Sequence, residues 1–160
     1  MQQNMLKQEC IEKSKLRTFI LFKDFDEPAA YVRKPLTFQQ RRILAKLRLG
    51  CLPLRIETGR YTRPKLSEEE RTCLVCKNNN LVDISGENES YVEDEAHLMF
   101  NCEAYRTERD HWLSQLVLPN NFETFSIADK FKVVLNLGAN IRATSQFILG
   151  ALNKRSLLLQ

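Results

Sequence analysis

Cys73, Cys76, His97 and Cys102 fall in a Cys-x2-Cys, x20, His-x4-Cys pattern. Three thiolates and one imidazole are the donor set a tetrahedral Zn²⁺ prefers, and two close pairs let two tight turns each present two ligands to one ion. Only five cysteines and two histidines occur in the chain, so chance spacing of buried thiols is the poorer account. Four protein ligands leave no open coordination position, which predicts a structural Zn²⁺ cofactor rather than one that activates water.

The other chemistries such residues could serve fail on spacing. A zinc deaminase needs His-x-Glu ahead of its cysteine pair, whereas here the pair comes first and Leu98 and Met99 follow His97. A redox Cys-x-x-Cys needs a βαβ setting that the helical flanks do not offer. His111 stands alone on an expected helix and is read as a surface or partly packed residue. The sequence contains no Gly-rich phosphate loop, nucleophile elbow or paired aspartates for two-metal phosphoryl transfer. No catalytic residue is assigned, and the chain is read as a non-enzyme.

The elements that must position the ligands read as helices. Met5, Leu6, Ile11, Leu16, Phe19, Ile20 and Phe22 give a helical period over residues 4 to 23, and Pro28 and Pro35 end it. Thr37 with Gln40 forms a capping-box signature for a second helix with a buried stripe of Ile43, Leu44 and Leu47. Arg41, Arg42, Lys46 and Arg48 are expected to project from its other sides, and Gly50 to stop it. Cys51 to Pro64 reads as turns, and Ser67 to Glu70 as a short helix start leading into Cys73.

Leu81, Val82 and Ile84 opposite Tyr91 and Val92 suggest a short β-hairpin. His97 should lie in the first turns of a helix, followed by one through about Leu116 with Tyr105, Trp112, Leu113 and Leu116 inward. Ser126 with Asp129 starts another, striped by Ile127, Phe131, Val134 and Leu135. Asn140 caps the last, with Ile141, Phe147, Ile148, Ala151 and Leu152 inward. The fold expected is mostly α, helical segments around a small Cys3His zinc knuckle with that hairpin. Its divisions are an N-terminal helix and linker over 1–35, a basic helix plus zinc module over 36–118, and a C-terminal helical pair over 119–160.

At 160 residues with 43% hydrophobic and 28% charged residues, five glycines and five prolines, most of the chain should fold and two large domains will not fit. The first residues contain no apolar signal core, and no apolar run reaches membrane-spanning length. An odd cysteine count with a Cys-x2-Cys pair suits a reducing compartment. These observations predict an intracellular protein, in nucleus or cytoplasm, neither secreted nor membrane-bound.

The net charge of +4 conceals segregation. From Arg33 to Lys65 ten basic residues face a single acid, Glu57, whereas from Ser67 to Asp110 twelve acids face four bases. The first segment could meet a polyanion, or the two segments could pair with each other. Gly59-Arg60-Tyr61-Thr62-Arg63-Pro64-Lys65 sets an aromatic ring among cations, as a backbone-tracking groove with one stacking platform requires. The alternative reading places Tyr61 in the core and pairs the arginines with Glu68 to Glu70. The candidate nucleic-acid contacts are Arg41, Arg42, Lys46, Arg48, Arg60, Tyr61, Arg63 and Lys65.

Leu44 to Gly50, Leu54 to Tyr61, Glu69 to Cys76 and Glu93 to His97, with Cys102 and Tyr105 behind, resemble the zinc-binding C-terminal tail of non-LTR retrotransposon reverse transcriptases. The similarity is strongest from about Gln40 to Trp112, and weaker through Asp129-Lys130-Phe131 and Ile141 to Thr144 toward Arg155. The resemblance implies a module that follows a polymerase and binds element RNA or target DNA, with Cys73, Cys76, His97 and Cys102 as zinc ligands. Polymerase residues do not carry over, because no palm segment or catalytic aspartate pair is present. The rival readings are a zinc-braced protein-interaction module, docking an acidic partner or the rest of a polymerase, and an inactive fragment of a retroelement polyprotein.

Overall fold

A computed structural model describes residues 16–22, 28–78 and 92–160. It is mostly α-helical. The helices are α1 (Arg17–Phe22), α2 (Phe38–Arg48), α3 (Arg55–Thr58), α4 (Leu74–Asn78), α5 (Arg106–Ser114), α6 (Ile127–Asn136) and α7 (Ile141–Leu158). Short 3-10 turns at Ala30–Arg33, Glu103–Tyr105 and Phe122–Thr124 and a π-helical turn at His97–Asn101 connect them. Most of the expected first helix, and all of the expected hairpin except Val92, lie outside the described residues. Val92 itself pairs antiparallel with Thr72.

Helix α2 begins as its sequence requires. The Thr37 hydroxyl accepts from the Gln40 backbone N–H, and the Gln40 side chain accepts from the Thr37 N–H. Ile43, Leu44 and Leu47 are buried, and Gly50, with φ of 65°, ends the helix in the left-handed region. Two sequence expectations nearby are corrected. Arg55–Thr58 forms a helical turn where only irregular turns were expected, with the Glu93 carboxylate accepting from the Arg55 N–H. Residues 67–70 form no helix start: the Glu70 carboxylate folds back onto the Ser67 N–H and closes a local turn instead.

Helix α7 is the spine of the fold. It packs against α2, α5 and α6. Its Phe147 ring stacks on Trp112 of α5 at 4.4 Å and 8° between planes, and the Trp112 indole N–H donates to Thr144 Oγ1. Helix α6 is capped by Ser126, whose side chain accepts from the Asp129 N–H, and buries Phe131, Val134 and Leu135. Asn140 stands at the start of α7 but makes no cap. Its amide instead accepts from the Val117 N–H and donates to the Val117 and Val133 carbonyls, locking the loop after α5 to the end of α6. One contiguous core joins Leu44 and Leu47, Leu54 and Ile56, the three cysteines of the pattern, and Phe131, Ile141 and Ile148. The residues expected to hold a metal are therefore part of the main core.

Candidate metal centre

The four pattern residues meet. Cys73 immediately precedes α4 and Cys76 is its third residue, so one helical turn sets both sulfurs on one side, closed by the Lys77 N–H donating to the Cys73 carbonyl. The second pair is set by the π-helical turn, in which the Cys102 N–H donates to the His97 carbonyl at 2.7 Å. These two ligands are five positions apart, and that is the hydrogen-bond interval of a π turn. The Asp94 carboxylate caps the turn by accepting from the His97 N–H at 2.7 Å. The Thr72–Val92 pairing, with the Glu93 N–H donating to the Arg71 carbonyl at 2.9 Å, holds the two ligand-bearing segments side by side.

All four ligand atoms lie within 4.8 Å of one another, and all four residues are buried. Cys76 Sγ is 3.4 Å from His97 Nε2 and 3.4 Å from Cys102 Sγ. A tetrahedral Zn²⁺ with ordinary bond lengths sets its sulfurs about 3.8 Å apart and sulfur and nitrogen about 3.6 Å apart, so the cluster needs only small adjustments to close on the ion. The charges point the same way. Hydrogen bonds from Cys102 and Cys76 hold the Cys73 thiol far below its ordinary value, while those with Cys73 and Cys76, and burial, push Cys102 far above its own. Burial opposes charge on His97, but the Cys73 and Cys76 sulfurs outweigh it and raise the imidazole to about 9. Sulfurs this close cannot all ionise without a cation among them.

Comparison with family models, with curated proteins and with solved structures finds no match.

Around the ligands lies a shell the sequence pattern does not reveal. Glu93 is buried against the Cys73 sulfur, with Oε1 at 3.8 Å, and accepts from Arg155 Nε and Nη2 at 2.6 and 2.7 Å. The buried Arg109 guanidinium donates to the carbonyl of Cys102 at 2.9 Å. Burial, with the Cys102, Cys73 and Glu93 charges, raises the Tyr105 phenol. Glu93 and Arg155 are 62 positions apart, and no local signal connects them. His111 is exposed, hydrogen-bonds Gln115 at 2.7 Å and takes no part in the cluster.

The eight candidate nucleic-acid contacts divide. Arg48 is buried at 4% exposure, which corrects its expected projection from α2: its guanidinium lies over the Tyr31 ring. Arg41 braces the preceding turn, donating to the carbonyls of Tyr31, Val32 and Lys34. Arg60 pairs with Glu57 at 3.4 Å. Arg42 and Lys46, one turn apart on α2, line an open groove that α7 completes with Leu149, Leu152 and Asn153. Tyr61, at 68% exposure, stands with Arg63 and Lys65 on an exposed loop, so Tyr61 does not fill the core.

That loop is tied to the cluster through Arg71. Its guanidinium, buried two residues before Cys73, donates to the carbonyls of Ile56 at 3.0 Å and Leu66 at 2.9 Å, on either side of the loop. Gly59 makes the contact close: a Cβ there would meet Arg71 Cγ at 2.7 Å and the Arg55 carbonyl at 2.8 Å.

Proposed function

We propose that this chain is a noncatalytic structural-zinc module that binds RNA or DNA, as the zinc-binding tail of a non-LTR reverse transcriptase does. Zn²⁺ would be held by Cys73, Cys76, His97 and Cys102, where it supplies a tetrahedral anchor with no free position for substrate. The donor set favours zinc over the harder divalent ions, which take oxygen ligands. The Arg71 clamp is the observation that carries the nucleic-acid reading, because it makes the order of the cationic loop depend on the segment that bears Cys73.

The contacts proposed are Arg42, Lys46, Arg63 and Lys65 to phosphates, with Tyr61 as the platform on which one base stacks. Arg41, Arg48 and Arg60 support the fold that presents them. An intracellular setting, where thiols remain reduced, suits the site. No described helix is long and apolar enough to cross a membrane.

The test combines metal content with a salt-dependent titration of single-stranded RNA and DNA on the same sample. Replacing Arg42, Lys46, Arg63 and Lys65 together by serine should leave metal content and helicity intact and flatten the salt slope by about 0.9 per lost phosphate contact on DNA duplex, somewhat less on single strands. Unchanged affinity and slope in that folded variant would overturn the assignment.

A further inference from the structure

The shell around the metal centre is asymmetric in charge. Zn²⁺ with three thiolates and one neutral imidazole carries a charge of about −1. Glu93 places a second negative charge 3.8 Å from the Cys73 sulfur, inside the core. A metal-bound thiolate at Cys73 makes that contact a like-charge one. Two buried negative groups at this range are tolerated only with cations against them. Arg155 supplies one, gripping both oxygens of Glu93, and Arg109 supplies the other at the Cys102 carbonyl. The preceding residue of α7, Lys154, donates to the Ala104 carbonyl, two residues past the last ligand.

We propose that Arg155 is a positioning residue of the metal centre and that the C-terminal half of α7 is its outer wall, so that metal uptake and the docking of this helix are one coupled equilibrium. The inference rests on the zinc reading above. It assigns a metal-linked role to a helix that lies about fifty residues beyond the last ligand and that neither the ligand spacing nor the expected division at residue 118 attaches to the knuckle. Linkage makes the coupling reciprocal: whatever factor the docked helix adds to metal affinity, the metal adds to helix docking.

The full chain is titrated with Co²⁺ as a spectroscopic stand-in and with Zn²⁺ against a competing chelator, as wild type, Arg155→Gln, Arg155→Lys and the control Arg142→Gln. Arg142 lies on the same helix but donates to the Pro35 carbonyl. Removing an outer-shell partner of this kind should weaken metal binding about 10- to 100-fold. Arg155→Gln should show that loss with a perturbed tetrahedral Co²⁺ absorption. Arg155→Lys should recover part of the affinity, and Arg142→Gln should match wild type. In parallel, chelation of the wild-type chain should speed amide exchange across Ile148 to Leu158.

A wild-type chain that takes up no metal overturns the zinc reading itself. A metal-loaded wild type beside an Arg155→Gln of equal affinity and spectrum overturns the coupling alone. Should Arg155→Gln fail to fold, the wild-type exchange decides: α7 amides that keep their metal-loaded rates after chelation refute the proposal.

Discussion

The Arg48 guanidinium lies 5.5 Å from the centre of the Tyr31 ring, at 4% exposure, on a helix whose other basic residues reach the surface. Burial pulls the guanidinium below its ordinary value, with the Tyr31 charge opposing. A delocalised, weakly hydrated cation over an aromatic face tolerates such a place better than an ammonium would. Arg48→Ala should therefore cost about 2 to 3 kcal/mol by urea unfolding, from the lost ring contact and the cavity left by a large buried side chain. Arg42→Ser on the same helix should cost less than about 0.5 kcal/mol. If Arg48→Ala unfolds at the wild-type midpoint, the burial is not energetically coupled to the fold.

Chelation should unfold the whole described chain in one step. Structural zinc contributes about 10 to 16 kcal/mol, as much as the total stability of an ordinary domain, and Cys73, Cys76 and Cys102 sit within the same core as α2, α6 and α7. Trp112 is the chain's one tryptophan, so its emission reports directly from between α5 and α7. A chelator should shift that emission to the red and lower helical circular dichroism over the same concentration range. Separate transitions would mean that the C-terminal helices hold together without the knuckle.

Metal uptake should release protons. Ligands must be deprotonated to bind, and below about pH 9 the His97 imidazole of the gathered cluster carries a proton that the ion must displace along with the one on the Cys102 thiol. The sign follows: affinity falls as pH falls, because protons compete for the same atoms. Chelator competition across the range from pH 6 to 9 should show apparent affinity rising throughout, by at most about tenfold per pH unit for each proton displaced. A flat profile would place the ion elsewhere.

Gly59→Ala should separate the basic loop from the core. The added carbon would press on the Arg71 side chain at 2.7 Å and on the Arg55 backbone carbonyl at 2.8 Å, and the carbonyl cannot swing aside as a side-chain tip can. A cost of about 1 to 3 kcal/mol is expected from such overpacking. Nucleic-acid affinity should fall with it even though no cation is removed. Wild-type stability in this variant would show that Arg71 has slack.

The helices with explicit caps were legible in the sequence, and the reason is local. Thr37 with Gln40 and Ser126 with Asp129 satisfy orphan N–H groups within three residues, so their signal needs no tertiary information. The Cys3His cluster was legible because metal chemistry restricts both residue type and spacing, and the structure gathers Cys73, Cys76, His97 and Cys102 as a site that could hold a metal ion. Contacts across long separations were not. Glu93 with Arg155, Asn140 with Val117 and Arg48 with Tyr31 each satisfy a polar group with a partner that composition cannot nominate. Arg48 shows the error most clearly: a helix-face argument treats every arginine as solvated and has no term for a ring waiting above it. Asn140 took the cap position but spent its amide on two other backbone segments, which a cap rule cannot anticipate.

The expected boundary at residue 118 leads to a sharp test, because several hydrogen bonds cross it. Asn140 receives the Val117 N–H at 2.8 Å, Thr144 receives the Trp112 indole at 3.3 Å, and Arg155 grips Glu93. Ending the chain at Leu118 would expose Trp112, which is buried with its ring against Phe147, and leave Glu93 charged in the core without its guanidinium. Loss of a buried aromatic contact costs about 3 to 5 kcal/mol, and an uncompensated buried charge about as much again. Their sum approaches the whole stability of a domain this size. A fragment ending at Leu118 should therefore show collapsed amide dispersion in its NMR spectrum even when Zn²⁺ is in excess. A dispersed, metal-loaded spectrum from it would make residues 36–118 an independent module and the C-terminal helices an accessory.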